Sequence, residues 1–72
     1  MSELRFRVFG TSIAIVGTNS GWTPYFLGPD GKRRRADFVI PSFIQERDLG
    51  QYLGDLFHES ATPSNNKVVR IR

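Results

Sequence analysis

Apolar and polar residues alternate along the first part of the chain. The segments from Leu4 to Phe9 and from Ser12 to Gly17 each alternate with a period of two, which is typical of strands with one buried face. Between them, Gly10-Thr11 suits a two-residue type II′ turn, which favours glycine at its first central position. This register predicts four cross-strand pairs: Val8 with Ile13 and Phe6 with Ile15 on an apolar face, and Arg7 with Ala14 and Arg5 with Val16 on the other.

A second hairpin is predicted around Gly28-Pro29-Asp30-Gly31. Trp22 to Leu27 and Arg33 to Ile40 flank this segment, in which proline presets a type I turn and Gly31 takes the left-handed conformation of a G1 bulge. Pro24 favours an edge or bulged position for the first of these strands. Six pairs follow: Trp22 with Phe38, Pro24 with Ala36 and Phe26 with Arg34 on the apolar face, and Thr23 with Asp37, Tyr25 with Arg35 and Leu27 with Arg33 on the other.

An amphipathic helix is predicted from about Ile44 to Ala61. Its apolar stripe follows the i, i+4, i+7, i+8 spacing of one helix face, with Leu49, Leu53, Leu56 and Phe57. Gly50 and Gly54 lie on one flank of the stripe and together cost about 2 kcal/mol relative to alanine, so we expect the helix to approach the sheet closely there. Their GxxxG spacing leaves a helix-mediated homodimer as the alternative.

These elements predict an α+β fold in a single domain spanning residues 1–72. An antiparallel β-meander of four strands carries the helix on one face, and a short C-terminal strand from Lys67 to Arg72 adds beside the first strand, which gives the order β-β-β-β-α-β. The core is expected to include five large apolar residues: Trp22, Pro24, Phe26, Phe38 and Phe43.

The composition limits the chemistry that the chain can perform. It has no cysteine and one histidine, which excludes disulfides and thiolate or histidine-rich metal sites. His58 and Glu59 stand three and four residues after Asp55, a spacing on a helix that permits metal ligation or proton exchange. A histidine near a helix C-terminus is also favoured by the helix dipole alone, and we prefer that interpretation. We therefore expect no cofactor, no metal and no enzymatic activity.

Charge is segregated by element. The net charge is +3, yet the helical segment is acidic and the strands carry the arginines. The candidate binding face is the side of the sheet away from the helix, with Arg5, Arg7, Tyr25, Arg33 and Arg35, which Arg70 and Arg72 are expected to join. Such a face could contact phosphates and stack a base, although a polar outer face is also ordinary for a one-sided sheet. Arg35 opposite Tyr25 would then be a cation–π pair.

The turn and helix motifs resemble those of small single-domain bacterial proteins of a domain-of-unknown-function family. The resemblance is carried by Trp22-x-x-Tyr25-x-Leu27-Gly28-x-Asp30-Gly31-Lys32-Arg33, by Ile40-Pro41, and by Tyr52-Leu53-x-Asp55-Leu56-Phe57-His58-Glu59. It implies a stand-alone bacterial cytoplasmic protein without an assigned reaction, and it carries no catalytic residues to these positions.

The sequence favours a small non-catalytic interaction module that binds a protein partner or forms a homodimer. The alternative is nucleic-acid binding through the basic outer face of the sheet. No membrane partner is expected, because no stretch approaches the roughly 18 apolar residues of a membrane span, and a cytoplasmic location is predicted.

Overall fold

The computed structural model describes the backbone of residues 2–71 and their side chains apart from those of Ser2 and Ser60. Within this range, five strands form one antiparallel sheet in the order β4-β3-β2-β1-β5. The strands are β1 (Ser2–Val8), β2 (Thr11–Thr18), β3 (Gly21–Leu27), β4 (Arg33–Arg35) and β5 (Val68–Arg70). The helix α1 (Leu49–Leu56), with 3-10 turns at Glu46–Asp48 and His58–Ser60, packs against β5 and β1. The predicted α+β fold is confirmed, including the C-terminal strand beside the first.

The β1–β2 register differs from its prediction by two residues. Phe9 and Gly10 are the central turn residues, with φ angles of 50° and 87°, and a type I′ turn requires positive φ at both positions. The ring of Phe9 packs against the core, which offsets the strain of its left-handed backbone. Because the displacement is an even number of residues, every side chain keeps its predicted face. The observed pairs are Val8 with Thr11, Arg7 with Ser12, Phe6 with Ile13 and Arg5 with Ala14.

The turn between β3 and β4 has the predicted geometry. The amide of Gly31 donates to the carbonyl of Gly28 at 3.0 Å, the amide of Gly28 donates to the carbonyl of Lys32 at 2.9 Å, and Gly31 has a φ of 81°. A type I turn followed by a G1 bulge is therefore confirmed. Three of the predicted pairs form: Tyr25 with Arg35, Phe26 with Arg34 and Leu27 with Arg33.

Pro24 ends the pairing of β4. The carbonyl of Pro24 accepts from the amide of Ala36 at 3.1 Å, but proline has no N–H to return the second bond of this pair. Beyond it the chain bends, and Trp22 forms a bridge with Ile40. The predicted pair of Trp22 with Phe38 is therefore wrong, and the predicted pair of Thr23 with Asp37 does not form. β3 is an interior strand, although Pro24 favoured an edge or bulged position.

The core lies between the sheet and α1. Leu49 and Leu53 of the helix are fully buried against residues from the sheet and from the segment before the helix. The buried apolar residues that form this cluster are Leu4, Phe6, Val8, Ile13, Ile15, Ile40, Leu49 and Leu53. Within residues 2–71, no helix combines the length and the apolar character needed to cross a bilayer.

The helix is shorter than the prediction of Ile44 to Ala61. Gln45 is extended before it, and at Phe57 the backbone leaves helical geometry with a φ of −108°. This change accompanies the packing of the Phe57 ring, which lies edge-on to the rings of Phe26 and Phe38 with centroids 6.4 and 5.2 Å away. The helix therefore ends where the Phe57 ring packs into an aromatic cluster with Phe26 and Phe38.

The prediction that Phe43 belongs to the core is wrong, since 80% of its surface is exposed. It lies in a turn closed by the amide of Ile44 donating to the carbonyl of Pro41, and Ile44 is the residue of this turn that packs inward. Its carbonyl also accepts from Trp22 Nε1 at 2.7 Å. The other four predicted aromatic or proline positions are buried or half-buried: Trp22, Pro24, Phe26 and Phe38.

Candidate binding surfaces

The side of the sheet away from α1 is called the outer face. The register places all five predicted binding residues there: Arg5, Arg7, Tyr25, Arg33 and Arg35. Three of these residues form one row with Ala14 across four strands, in the order Arg35, Tyr25, Ala14, Arg5. Ala14 is fully buried although no helix covers it, because it is the smallest residue in a row of long side chains.

Glu3 is an outer-face residue that the sequence analysis missed. Its Oε2 accepts from Arg5 Nε at 2.9 Å, and its Oε1 accepts from Arg33 Nη2. One carboxylate therefore pairs with two guanidinium groups and offsets half of their charge, and all three side chains are partly shielded from solvent. The signal was present in the sequence, because Glu3 and Arg5 are two residues apart on one strand and so share a face.

The cation–π partner of Tyr25 is Arg33. The predicted partner, Arg35, does not take this role. Arg33 Cζ lies 5.5 Å from the centroid of the Tyr25 ring. Arg35 is the direct cross-strand neighbour, but Arg33 extends towards Glu3 and passes over the ring from the diagonal position. The one aromatic residue predicted for base stacking therefore already has a guanidinium over its ring.

Two outer-face arginines remain uncompensated. Arg7 and Arg35 are exposed, and neither makes an ion pair or a side-chain hydrogen bond with any residue that the structure describes. They lie on either side of the ion-paired group of Glu3, Arg5 and Arg33, in which one carboxylate faces two guanidinium groups. The outer-face arginines that have no ion pair among the described residues are thus separated from each other.

Arg70 does not join the outer face. It pairs with Phe6 across the strands and therefore lies on the helix side, where its Nη2 donates to Glu46 Oε2 at 2.9 Å. The prediction is wrong because β5 aligns Val69 with Arg7, and this register turns Val69 and Ile71 outwards. Arg72, predicted to accompany Arg70, lies outside the described residues.

The backbone of β5 has one side bonded to β1 and one side that faces away from it. The carbonyl of Lys67 accepts from the Phe9 amide at 3.1 Å, and the amide of Ile71 donates to the Arg5 carbonyl at 2.8 Å. Because backbone groups alternate in direction along a strand, the N–H and C=O groups of Val68 and Arg70 point away from β1. Within the described part of the chain, no strand pairs with Val68 on this side. We call this side of the strand the β5 edge.

A groove of about 470 Å³ runs between α1 and β5. Gly50 and Gly54 form part of its wall, and Val68 forms its floor. A Cβ added at Gly54 would lie 3.2 Å from Val68 Cγ2. A Cβ added at Gly50 would lie 3.7 Å from Phe6 Cε2. The expected close approach of helix and sheet is confirmed. Charged and polar groups surround the groove: Glu46, Arg47, Gln51, Asp55 and Arg70.

His58 lies at the end of α1 and is exposed. Its Nδ1 is 3.1 Å from the carbonyl oxygen of Asp55, which lies in the last turn of the helix. Within residues 2–71, no group of three histidine, cysteine or acidic residues is placed to hold a metal ion. The histidine ring thus lies beside a carbonyl at the C-terminal end of its own helix, a position in which the helix dipole favours histidine.

Comparison with known proteins places this architecture in a family. The model of a domain of unknown function, DUF7661, matches residues 3–72, a range that includes both hairpins, α1 and β5. The chain belongs to this family. The description of DUF7661 names no reaction and no ligand. No curated protein and no solved structure gave a significant match to the chain.

Proposed function

We propose that this DUF7661 protein is a non-catalytic interaction module that binds a polypeptide strand at the β5 edge. The observation that carries the proposal is the outward-facing backbone of Val68, with which no strand pairs in the described part of the chain, beside exposed apolar side chains. Val69 and Ile71 are 49% and 56% exposed on the outer face. Addition of an extended strand to a sheet edge is a common mode of peptide recognition, in which the backbone supplies affinity and the side chains supply specificity.

The contrast with the other end of the sheet supports this choice. β4 consists of Arg33–Arg35, all exposed, and its pairing is cut short by Pro24 and preceded by a bulge at Gly31. Charged residues and bulges are devices by which proteins protect strand edges from pairing. β5 is equally short, but it carries two valines and one arginine where β4 carries three arginines. We further propose a bacterial cytoplasmic setting, on the resemblance described above.

A peptide-display selection tests the proposal when it is combined with NMR mapping. The wild-type protein at low concentration should enrich peptides of extended conformation, and these should shift the amide resonance of Val68. Val68→Pro removes an outward N–H and should abolish the binding, whereas Val68→Ala keeps that N–H and should retain most of it. The proposal is contradicted if neither a peptide nor a second copy of the chain perturbs this amide.

Nucleic-acid binding through the outer face is the second candidate. Arg7 and Arg35 favour it, because both are exposed cations without a partner among the described residues. Titration with single- and double-stranded oligonucleotides at low salt should shift resonances near these arginines and Tyr25. The affinity should fall with added salt and in the double variant Arg7→Glu/Arg35→Glu. If no outer-face resonance shifts in either titration, this candidate function is eliminated.

A further inference from the structure

We propose that the peptide strand at the β5 edge carries an acidic side chain and that this side chain binds in a pocket beside Lys67. The inference rests on the proposed function, since it uses the same edge, and it adds the chemistry of the partner. The pocket has a volume of about 300 Å³. Among the residues that line it are Arg7, Ser64, Asn65, Asn66, Lys67 and Val69. We call it the basic pocket.

The charge of the basic pocket is complementary to an anion. Arg7 and Lys67 are exposed, and neither makes an ion pair with any residue that the structure describes. The other described residues that line the pocket are neutral. The side-chain amides of Asn65 and Asn66 add N–H donors, and hydrogen bonds from charged and amide donors to an anionic oxygen are the strong ones in proteins. A carboxylate or a phosphate group therefore fits the chemistry of the pocket.

Backbone hydrogen bonds hold the walls of the basic pocket in place. The amide of Phe9 donates to the carbonyl of Lys67 at 3.1 Å, which connects the β1–β2 turn to the start of β5. Thr62 and Asn65 exchange two backbone bonds of 3.1 Å, so the loop that carries Asn65 is closed on itself. A Cβ added at Gly10 would lie 3.1 Å from Asn65 Cγ, so this glycine lets the turn and the loop meet. A pocket that is formed in advance lowers the cost of ordering its side chains when a ligand binds.

The position of the basic pocket relates it to a strand bound at the β5 edge. Val69 is aligned with Arg7 on the outer face, and Lys67 precedes Val69 by two residues and so shares that face. A strand added about 4.8 Å from β5 would place one of its outer-face side chains opposite Lys67. An acidic side chain at this position forms a favourable cross-strand pair with Lys67 and points towards Arg7 across the pocket.

The exposed apolar residues of β5 define the neighbouring position of the peptide. Val69 and Ile71 continue the row that begins at Lys67, and they are 49% and 56% exposed. An apolar peptide residue opposite Val69 would cover this surface, and it lies two positions along the peptide from the acidic one. A nucleic acid could supply phosphates to the basic pocket, but it offers no strand to the backbone of Val68. The arrangement therefore favours a peptide with an acidic and an apolar residue two positions apart.

Peptide-display selection against three forms of the full chain tests the proposal. The wild-type protein should enrich peptides in which an acidic and an apolar residue are two positions apart. The double variant Arg7→Gln/Lys67→Gln should lose the preference for the acidic residue. Lys32→Gln/Arg34→Gln is the matched control, because it removes two exposed positive charges from the other end of the sheet, and it should keep the preference.

Affinity measurements on the wild-type protein need no variant to fold. The most enriched acidic peptide is synthesised with glutamate, phosphoserine or glutamine at the acidic position. The glutamate or the phosphoserine peptide should bind at least about tenfold more tightly than the glutamine peptide, and the tighter of the two identifies the anion. This difference should largely disappear in Arg7→Gln/Lys67→Gln and should persist in Lys32→Gln/Arg34→Gln.

NMR titration separates the failure of this inference from that of the proposed function. Peptides that shift the Val68 amide but bind equally well with glutamine at the acidic position would overturn the inference and leave the proposed function intact. A preference that Lys32→Gln/Arg34→Gln also removes would overturn the inference too, since it would reflect net charge alone. If inorganic phosphate or an oligonucleotide shifts the resonances of Arg7 and Lys67 while no peptide perturbs Val68, both proposals fail.

Discussion

Arg33 on β4 donates a hydrogen bond to Glu3 on β1, across the two intervening strands of the sheet. The same carboxylate accepts from Arg5, and Arg33 passes over the ring of Tyr25 on its way. One acidic side chain thus connects the two ends of the four-stranded meander and decides which arginines remain available to a ligand.

Glu3→Gln should lower the free energy of unfolding by about 0.5–1.5 kcal/mol, since two partly exposed ion pairs become neutral contacts. Chemical denaturation measures the change. Glu46→Gln is the control, because it removes one exposed ion pair, that with Arg70, and should cost less. If the outer face binds nucleic acid, Glu3→Gln should tighten that binding by freeing two guanidinium groups. Equal losses of stability in the two variants would contradict the connecting role of Glu3.

Gly50→Ala should raise the free energy of unfolding by about 0.5–1 kcal/mol, because alanine is the better helix former and its Cβ would make only ordinary contacts. Gly54→Ala should give no such gain, since its Cβ would lie 3.2 Å from Val68 Cγ2. Chemical denaturation of both variants at the same protein concentration compares the two. An equal gain in both variants would contradict this prediction, because it would show that the Val68 side chain can move away from a Cβ at position 54 without a loss of stability.

Trp22→Phe should destabilise the protein by about 1–3 kcal/mol. The carbonyl of Ile44 would lose the indole N–H that donates to it from a half-buried position, and the smaller ring would leave space against the core. Tyr52→Phe is the matched variant: its hydroxyl donates to the carbonyl of Val39 at 3.0 Å in an exposed setting, so its loss should cost under about 0.5 kcal/mol. Thermal and urea denaturation should rank the two in this order; the reverse order would be contrary to the prediction.

Gly10→Ala should cost more stability than Gly31→Ala. Both glycines have a left-handed backbone that costs an alanine about 1–2 kcal/mol. At Gly10 the added Cβ would also lie 3.1 Å from Asn65 Cγ, whereas at Gly31 it would meet nothing within 4 Å. Urea denaturation of the two single variants gives the comparison, and a larger loss at Gly31 would contradict it.

The two hairpins differ in how well the sequence predicts them. Around Gly28-Pro29-Asp30-Gly31, proline and glycine each restrict one turn position, so a single register remains, and it is the one observed near the turn. At the first hairpin, glycine could occupy either central position of the turn. The observed choice places Phe9 in a left-handed conformation, which only the packing of its ring against the core makes acceptable.

The candidate site was predicted as a set of positions but not as a set of interactions. Period-two alternation is enough to place Arg5, Arg7 and Arg33 on the outer face. It does not reveal that Arg33 reaches Glu3, because that contact spans strands whose order is a property of the whole sheet. The side on which Arg70 lies depends in the same way on the β1–β5 register, which brings it to Glu46.

The unlike ends of the sheet also determine how large an assembly can become. If two chains joined at β5, the resulting ribbon would end on each side in Arg33–Arg35. The three arginines at each border would oppose further addition, so growth would be self-limiting and would give a closed pair instead of a fibre.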